Sequence, residues 1–121
     1  MSLVKKPVYI KEPTDLQCGQ AVLSMLTGKS VIDIIKECGT DKETTLSQMK
    51  QVLAINKINF IPLKKEAKSK DDLPEIAILS LETPRCWHWS LYFEGTFYDP
   101  EHGVLDDFPK SNRKYFFEIK K

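Results

Sequence analysis

The chain has 121 residues, 41% hydrophobic and 29% charged, with 18 basic side chains against 17 acidic ones. These proportions fit one folded domain, 1–121, and exclude disordered and collagen-like classes. A net charge of +1 leaves no electrostatic footprint for nucleic acid, so none is expected as a partner.

No apolar run approaches a membrane span, and Met1 to Lys6 lacks the apolar core of a signal sequence, so no membrane association is expected. Three cysteines without paired spacing speak against a disulfide scaffold and for a reducing compartment. A cytoplasmic location is expected, with secretion that uses no cleaved signal left open.

In chain order, Val8-Tyr9-Ile10 reads as a short strand ahead of Pro13. A first helix follows from about Leu16 to Thr27, capped by Asp15 or Thr14 and stopped at Gly28. Cys18 falls in its first turn, where unpaired N–H groups and the helix dipole favour a thiolate. It also shares a stripe with Ala21, Val22, Met25 and Leu26, so a small core side chain is the alternative reading. Gly19 lowers helix propensity by about 1 kcal/mol against alanine. Its presence points to a close approach to the backbone there, such as that of a substrate carbonyl.

Ser30 caps a second helix through Lys36, with Val31, Ile34, Ile35 and Cys38 on one face and Gly39 as its stop. Thr45-Leu46-Ser47-Gln48 is a capping box for a third helix to about Asn56. The period then changes. Phe60 to Leu63 reads as an edge strand because of Pro62, Lys64 to Asp72 as a charged loop, and Ile76 to Leu81 as a buried strand. Thr83-Pro84 is a turn, Trp87–Phe93 and Phe97–Asp99 form a hairpin, and Lys114 to Ile119 gives a last strand. Helices first and antiparallel strands after them give an α+β class.

The chain has two histidines. With Glu94-Gly95 as a two-residue turn, Phe93 faces Thr96 and Ser90 faces Asp99. His88 and Asp99 are then diagonal neighbours on one face, whereas a three-residue loop would put Asp99 on the other. His102, in Glu101-His102-Gly103, reads as a loop residue and the weaker base candidate. A cysteine at a helix start, a histidine on a distant strand and a carboxylate on the next strand suit nucleophilic catalysis.

Cys18-Gly19 with Ala21 and Met25 resembles the nucleophile segment of papain-like cysteine peptidases, in particular the leader-peptidase domains of bacteriocin exporters and their free-standing relatives. His88-Trp89-Ser90-Leu91 and Asp99-Pro100 match that family's other two segments, and the resemblance spans about Val8 to Gly103. It implies a papain-like fold, with helices packed on the antiparallel sheet. It also implies nucleophile, base and orienting carboxylate roles for Cys18, His88 and Asp99. The family usually carries a glutamine about six residues before the cysteine, whose amide donates to the oxyanion. Glu12 stands there in this chain, so Gln17 or Gln20 is the candidate substitute, with the Cys18 N–H as second donor.

The expectation is therefore a thiol-dependent hydrolase of amide bonds acting on a peptide or protein substrate. Glutamine deamidation by the same three residues and non-catalytic peptide binding are the alternatives. No cofactor is expected. No Cys-x-x-Cys or His-x-x-x-His spacing suggests a metal, and Gly28-Lys29-Ser30 lacks the upstream glycine of a phosphate loop. Lys64, Lys65, Lys68 and Lys70 are offset by Glu66, Asp71 and Asp72 and read as a solvated loop.

Overall fold

The computed structural model describes residues 6–84 and 86–120. The segment read above for a signal sequence lies outside them, apart from Lys6. Among the described residues the protein is α+β, with three helices followed by six strands in one antiparallel sheet.

Helix α1 spans Cys18–Thr27, α2 Val31–Cys38 and α3 Leu46–Ile55. Ser30 caps α2 by accepting the Asp33 N–H, and the capping box of Thr45 and Gln48 closes reciprocally at α3. The start of α1 departs from expectation. Its N-cap is Gln17, with no side-chain cap bond, and Cys18 is the first helical residue. Thr14 turns the chain beforehand, accepting the Gln17 N–H on its carbonyl. Residues Gly19 to Leu26 are buried, so α1 is covered on all sides. No single helix among the described residues is long and apolar enough to cross a membrane.

The strands are β1 (Lys65–Glu66), β2 (Ile76–Glu82), β3 (Trp87–Phe93), β4 (Thr96–Asp99), β5 (Gly103–Leu105) and β6 (Arg113–Glu118). Their order across the sheet is β1-β6-β2-β3-β4-β5. Phe93 pairs with Thr96, so Glu94-Gly95 is the two-residue turn, with φ of +44° and +93°. Positive φ at both positions twists a hairpin in the right sense, and glycine at the second relieves the steric cost there.

Four segments of the rest of the chain differ from the reading of the sequence. Val8-Tyr9-Ile10 is not a strand. Phe60 to Leu63 forms only one bridge, Phe60 with Ile119, because Pro62 has no N–H to extend a ladder. The loop from Lys64 carries the short β1 and a 3₁₀ turn at Lys70–Asp72, and Gly103, expected beside His102 in a loop, opens the three-residue β5.

Alternation divides the sheet's side chains between two apolar layers. Ile76, Ile78, Leu91 and Phe93 pack with Val22, Leu26, Ile34 and Val52 of the helices. Ala77, Leu79, Leu81, Tyr92 and Phe97 pack with Phe116, Ala67, Leu73 and Phe108 in a second layer. His88 and Ser90 share strand parity with Tyr92, whereas Trp89 shares that of Leu91. Cys18, at the front of α1, meets β3 at the main-chain N–H of Trp89 and the ring of His88.

Candidate active site

Asp99 is fully buried and accepts hydrogen bonds from several directions. His88 Nε2 lies 3.0 and 3.1 Å from its two oxygens, and Ser90 Oγ donates to Oδ2 at 2.9 Å. The N–H groups of Glu101 and His102 donate to Oδ1 at 3.0 and 2.9 Å. His102 Nδ1 also sits 2.9 Å from Oδ1. Pro100 follows Asp99 directly, and the turn after it aims these main-chain donors back at the carboxylate. The hairpin register brings Ser90 opposite Asp99, so the same turn that pairs Phe93 with Thr96 delivers His88 to the carboxylate.

Nε2 is engaged by Asp99, which leaves Nδ1 as the nitrogen to serve Cys18, whose sulfur lies close enough to act on the His88 ring. The three residues selected from the sequence are thus together, in the order Cys18, His88, Asp99. Burial opposes a charged imidazole, but the bonds to Asp99 and Cys18 and their charges outweigh it and lift His88 to about 10. Burial likewise opposes an ionised Asp99. The His88 bond and charge, then the His102 N–H and the Ser90 hydroxyl, bring it down to about 2. His102 is not a competing base for the thiol, because its ring turns to Asp99 and Glu101.

Cys18 is half-buried and opens into a cleft of about 510 Å³, bounded among others by Leu16, Thr44, Leu46, Trp87 and Trp89. Gly19 has a different reason from the one expected. A Cβ built there would lie 2.7 Å from Thr44 Cβ and Oγ1 and 3.2 Å from Trp89 Cδ1. The protein's own wall, rather than a substrate carbonyl, fills the space beside that backbone.

Neither substitute glutamine reaches the cleft. Gln17 Nε2 donates to the Asp41 carbonyl at 2.9 Å, and Gln20 Nε2 donates to Thr40 and Lys42 carbonyls at 3.0 and 2.7 Å. Both amides fasten the 40–42 loop to α1. Glu12 is buried, its N–H bonded to the Pro100 carbonyl and its Oε1 without a partner. Burial raises its carboxyl, the charge of His88 opposes that, and Glu101, Asp15 and Asp99 add to the rise.

Among the described residues, two groups place metal-ligand atoms within 4.8 Å of one another: His88, Asp99 and His102, and Glu12, Asp15 and Glu101. In the first, the hydrogen bonds above already account for the proximity. Sequence reasoning put Ser90 opposite Asp99 without giving it a role there, and missed Tyr9, whose hydroxyl donates to the Asp99 carbonyl at 2.6 Å. The strand parity of Ser90 with His88 was the available signal for the first; none marked the second. No protein-family model matches the chain, and no curated protein is significantly similar to it in sequence.

Proposed function

We propose that this protein is a papain-like thiol hydrolase that cleaves amide bonds in a peptide or protein substrate. The observation that carries the reading is the continuous contact from Cys18 through the His88 ring to a buried, multiply hydrogen-bonded Asp99. An imidazole held between a thiol and a carboxylate suits proton transfer from sulfur and then to a leaving amine. In the cycle, Cys18 Sγ forms a bond to the substrate carbonyl carbon and His88 protonates the departing amine nitrogen. Water, deprotonated by His88, then displaces the sulfur from the thioester and yields a carboxylic acid. Asp99 keeps the ring in one tautomer throughout. The N–H of Cys18, at the first helical position, has no partner within the helix and is suited to donate to the oxyanion.

A second reading is favoured by Glu12. A buried carboxylate with an unpartnered oxygen beside this site suits a cleft that binds a peptide without cleaving it. Alkylation tests whether Cys18 is an activated nucleophile, the premise of the first reading. Iodoacetamide at pH 6 should label Cys18 faster than buried Cys38 or exposed Cys86, and His88→Ala should slow that labelling. Equal labelling of all three, or protection of Cys18 until the chain unfolds, would return it to a packing role.

A further inference from the structure

The ladder between β3 and β4 ends with the pair Leu91 and Tyr98. Beyond it, the main-chain N–H of Trp89 donates to Cys18 Sγ at 3.5 Å. The indole of the same residue reaches elsewhere, donating from Nε1 to the Thr44 carbonyl at 3.0 Å. Its Cδ1 edge lies against Gly19, in the space that a Cβ would need. The ring also packs at a tilt on Phe117 of β6, with centroids 6.5 Å apart. One residue therefore touches the nucleophile, the residue beside it, the cleft wall and the sheet.

We propose that Trp89 is a positioning residue for the nucleophile: its main-chain N–H holds the sulfur as thiolate, and its indole bond to Thr44 keeps that N–H aimed. The inference rests on the thiol-hydrolase reading and adds a part that it did not contain. A hydrogen bond to a charged acceptor is roughly twice as strong as one between neutral groups, so this donor favours S⁻ over S–H. Phenylalanine would keep the ring contacts on Gly19 and Phe117 but leave the Thr44 carbonyl without its donor. Thr44 belongs to a loop already fastened by Gln17 and Gln20, so the indole closes the last gap between that loop and β3. The tightness of the join explains why position 19 carries no side chain.

The test is the rate of Cys18 alkylation by iodoacetamide between pH 5 and 9, followed by mass spectrometry of the Cys18 peptide. Two proteins are compared with wild type: Trp89→Phe, and a semisynthetic chain in which an ester oxygen replaces the Trp89 main-chain N–H while the indole stays. In both, the profile should move to higher pH, with labelling at pH 6 down about tenfold and the rate at pH 9 retained, given the strength of hydrogen bonds to charged groups. A merely structural role would lower stability without moving the profile. An ester protein that titrates like wild type removes the N–H from the account, and a Trp89→Phe protein that does so removes the indole. Either result overturns the proposal, and the ester protein decides the matter alone if Trp89→Phe does not fold. If wild-type Cys18 has no advantage over Cys38 and Cys86 at pH 6, the hydrolase reading has failed instead and the role of Trp89 goes with it.

Discussion

Asp99 and Glu12 are both buried carboxylic acids in the field of the same imidazole, yet they shift in opposite directions. Around Asp99, donors from His88, Ser90, Glu101 and His102 converge, and the acid is pushed down. Around Glu12, one oxygen has no donor and the neighbours are Asp15 and Glu101, so the acid is pushed up. The sign of a buried carboxyl's shift is set by what its oxygens accept, with burial itself always raising it. One region is built to hold a negative charge beside His88. The other holds a carboxyl in surroundings that disfavour its charge.

The strongest way to break this contrast is Asp99→Asn. The amide keeps the size of the side chain but can present an N–H₂ to His88, which costs the imidazole its fixed tautomer. Turnover should fall on the order of 1000-fold while the fold persists. The pH dependence of stability supplies a second reading. His88 is raised from 6.5 to about 10, so its contribution is complete below 6.5 and lost as pH climbs through about 10. Asp99 is lowered from 3.8 to about 2, so its contribution is present above 3.8 and lost as pH falls through about 2. Urea midpoints measured across pH should show both losses in wild type; in Asp99→Asn the acid loss should vanish and the alkaline loss shrink to what Cys18 alone sustains. A mutant that is grossly destabilised but still active would make Asp99 a turn residue only.

Gln20→Ala tests the loop that walls the cleft, through the amide that fastens it to α1. Gln20 is fully buried, and its amide is the donor for the Thr40 and Lys42 carbonyls. Leaving a buried acceptor unpaired costs about 1–3 kcal/mol, and these two carbonyls are only part-buried, so a loss of about 2 kcal/mol is expected in urea unfolding. A loss below about 0.5 kcal/mol would mean that the loop re-pairs with solvent at little cost.

Glu12→Gln probes the unsaturated region. Its charge lies near enough to influence His88, and a neutral amide removes an anion from beside the reacting centre. Turnover of a peptide or glutamine amide should rise about tenfold, within what single oxyanion-site donors contribute. Because the Glu12 carboxyl is raised, wild type gains the neutral form on acidification, so the mutant's advantage should shrink as pH falls. Loss of activity in Glu12→Gln would instead make Glu12 a participant in the chemistry.

What could be read in advance follows a physical line. Ser30, Thr45 and Gln48 announced their helices because capping is local, two or three residues wide. The Glu94-Gly95 turn announced the register, and with it the meeting of His88 and Asp99. Tertiary demands were not legible. Nothing beside Gln17 or Gln20 in the sequence says that their amides serve a loop 20 to 24 residues on, and nothing beside Gly19 names Thr44 and Trp89 as its neighbours. β5 has three residues, too few for a period to emerge.

The smallest effect is expected at the hairpin that sets the register. Glu94 takes φ of +44°, a conformation that crowds the Cβ of an ordinary residue, and its side chain is exposed. Its main-chain N–H donates to the Glu75 carbonyl at 2.7 Å, a bond that any non-proline residue keeps. Asparagine enters the left-handed region more readily, so Glu94→Asn should stabilise the protein by about 0.5 kcal/mol and raise the urea midpoint slightly. The same mutant should leave Cys18 alkylation unchanged, because the apolar pairs Leu91 with Tyr98 and Tyr92 with Phe97 already pin the register that presents His88 to Asp99. A faster Cys18 at pH 6 in Glu94→Asn would show that wild-type register is partly slipped. The saturated state of Asp99 would then describe only a fraction of the molecules, and the contrast with Glu12 would be narrower than the structure makes it.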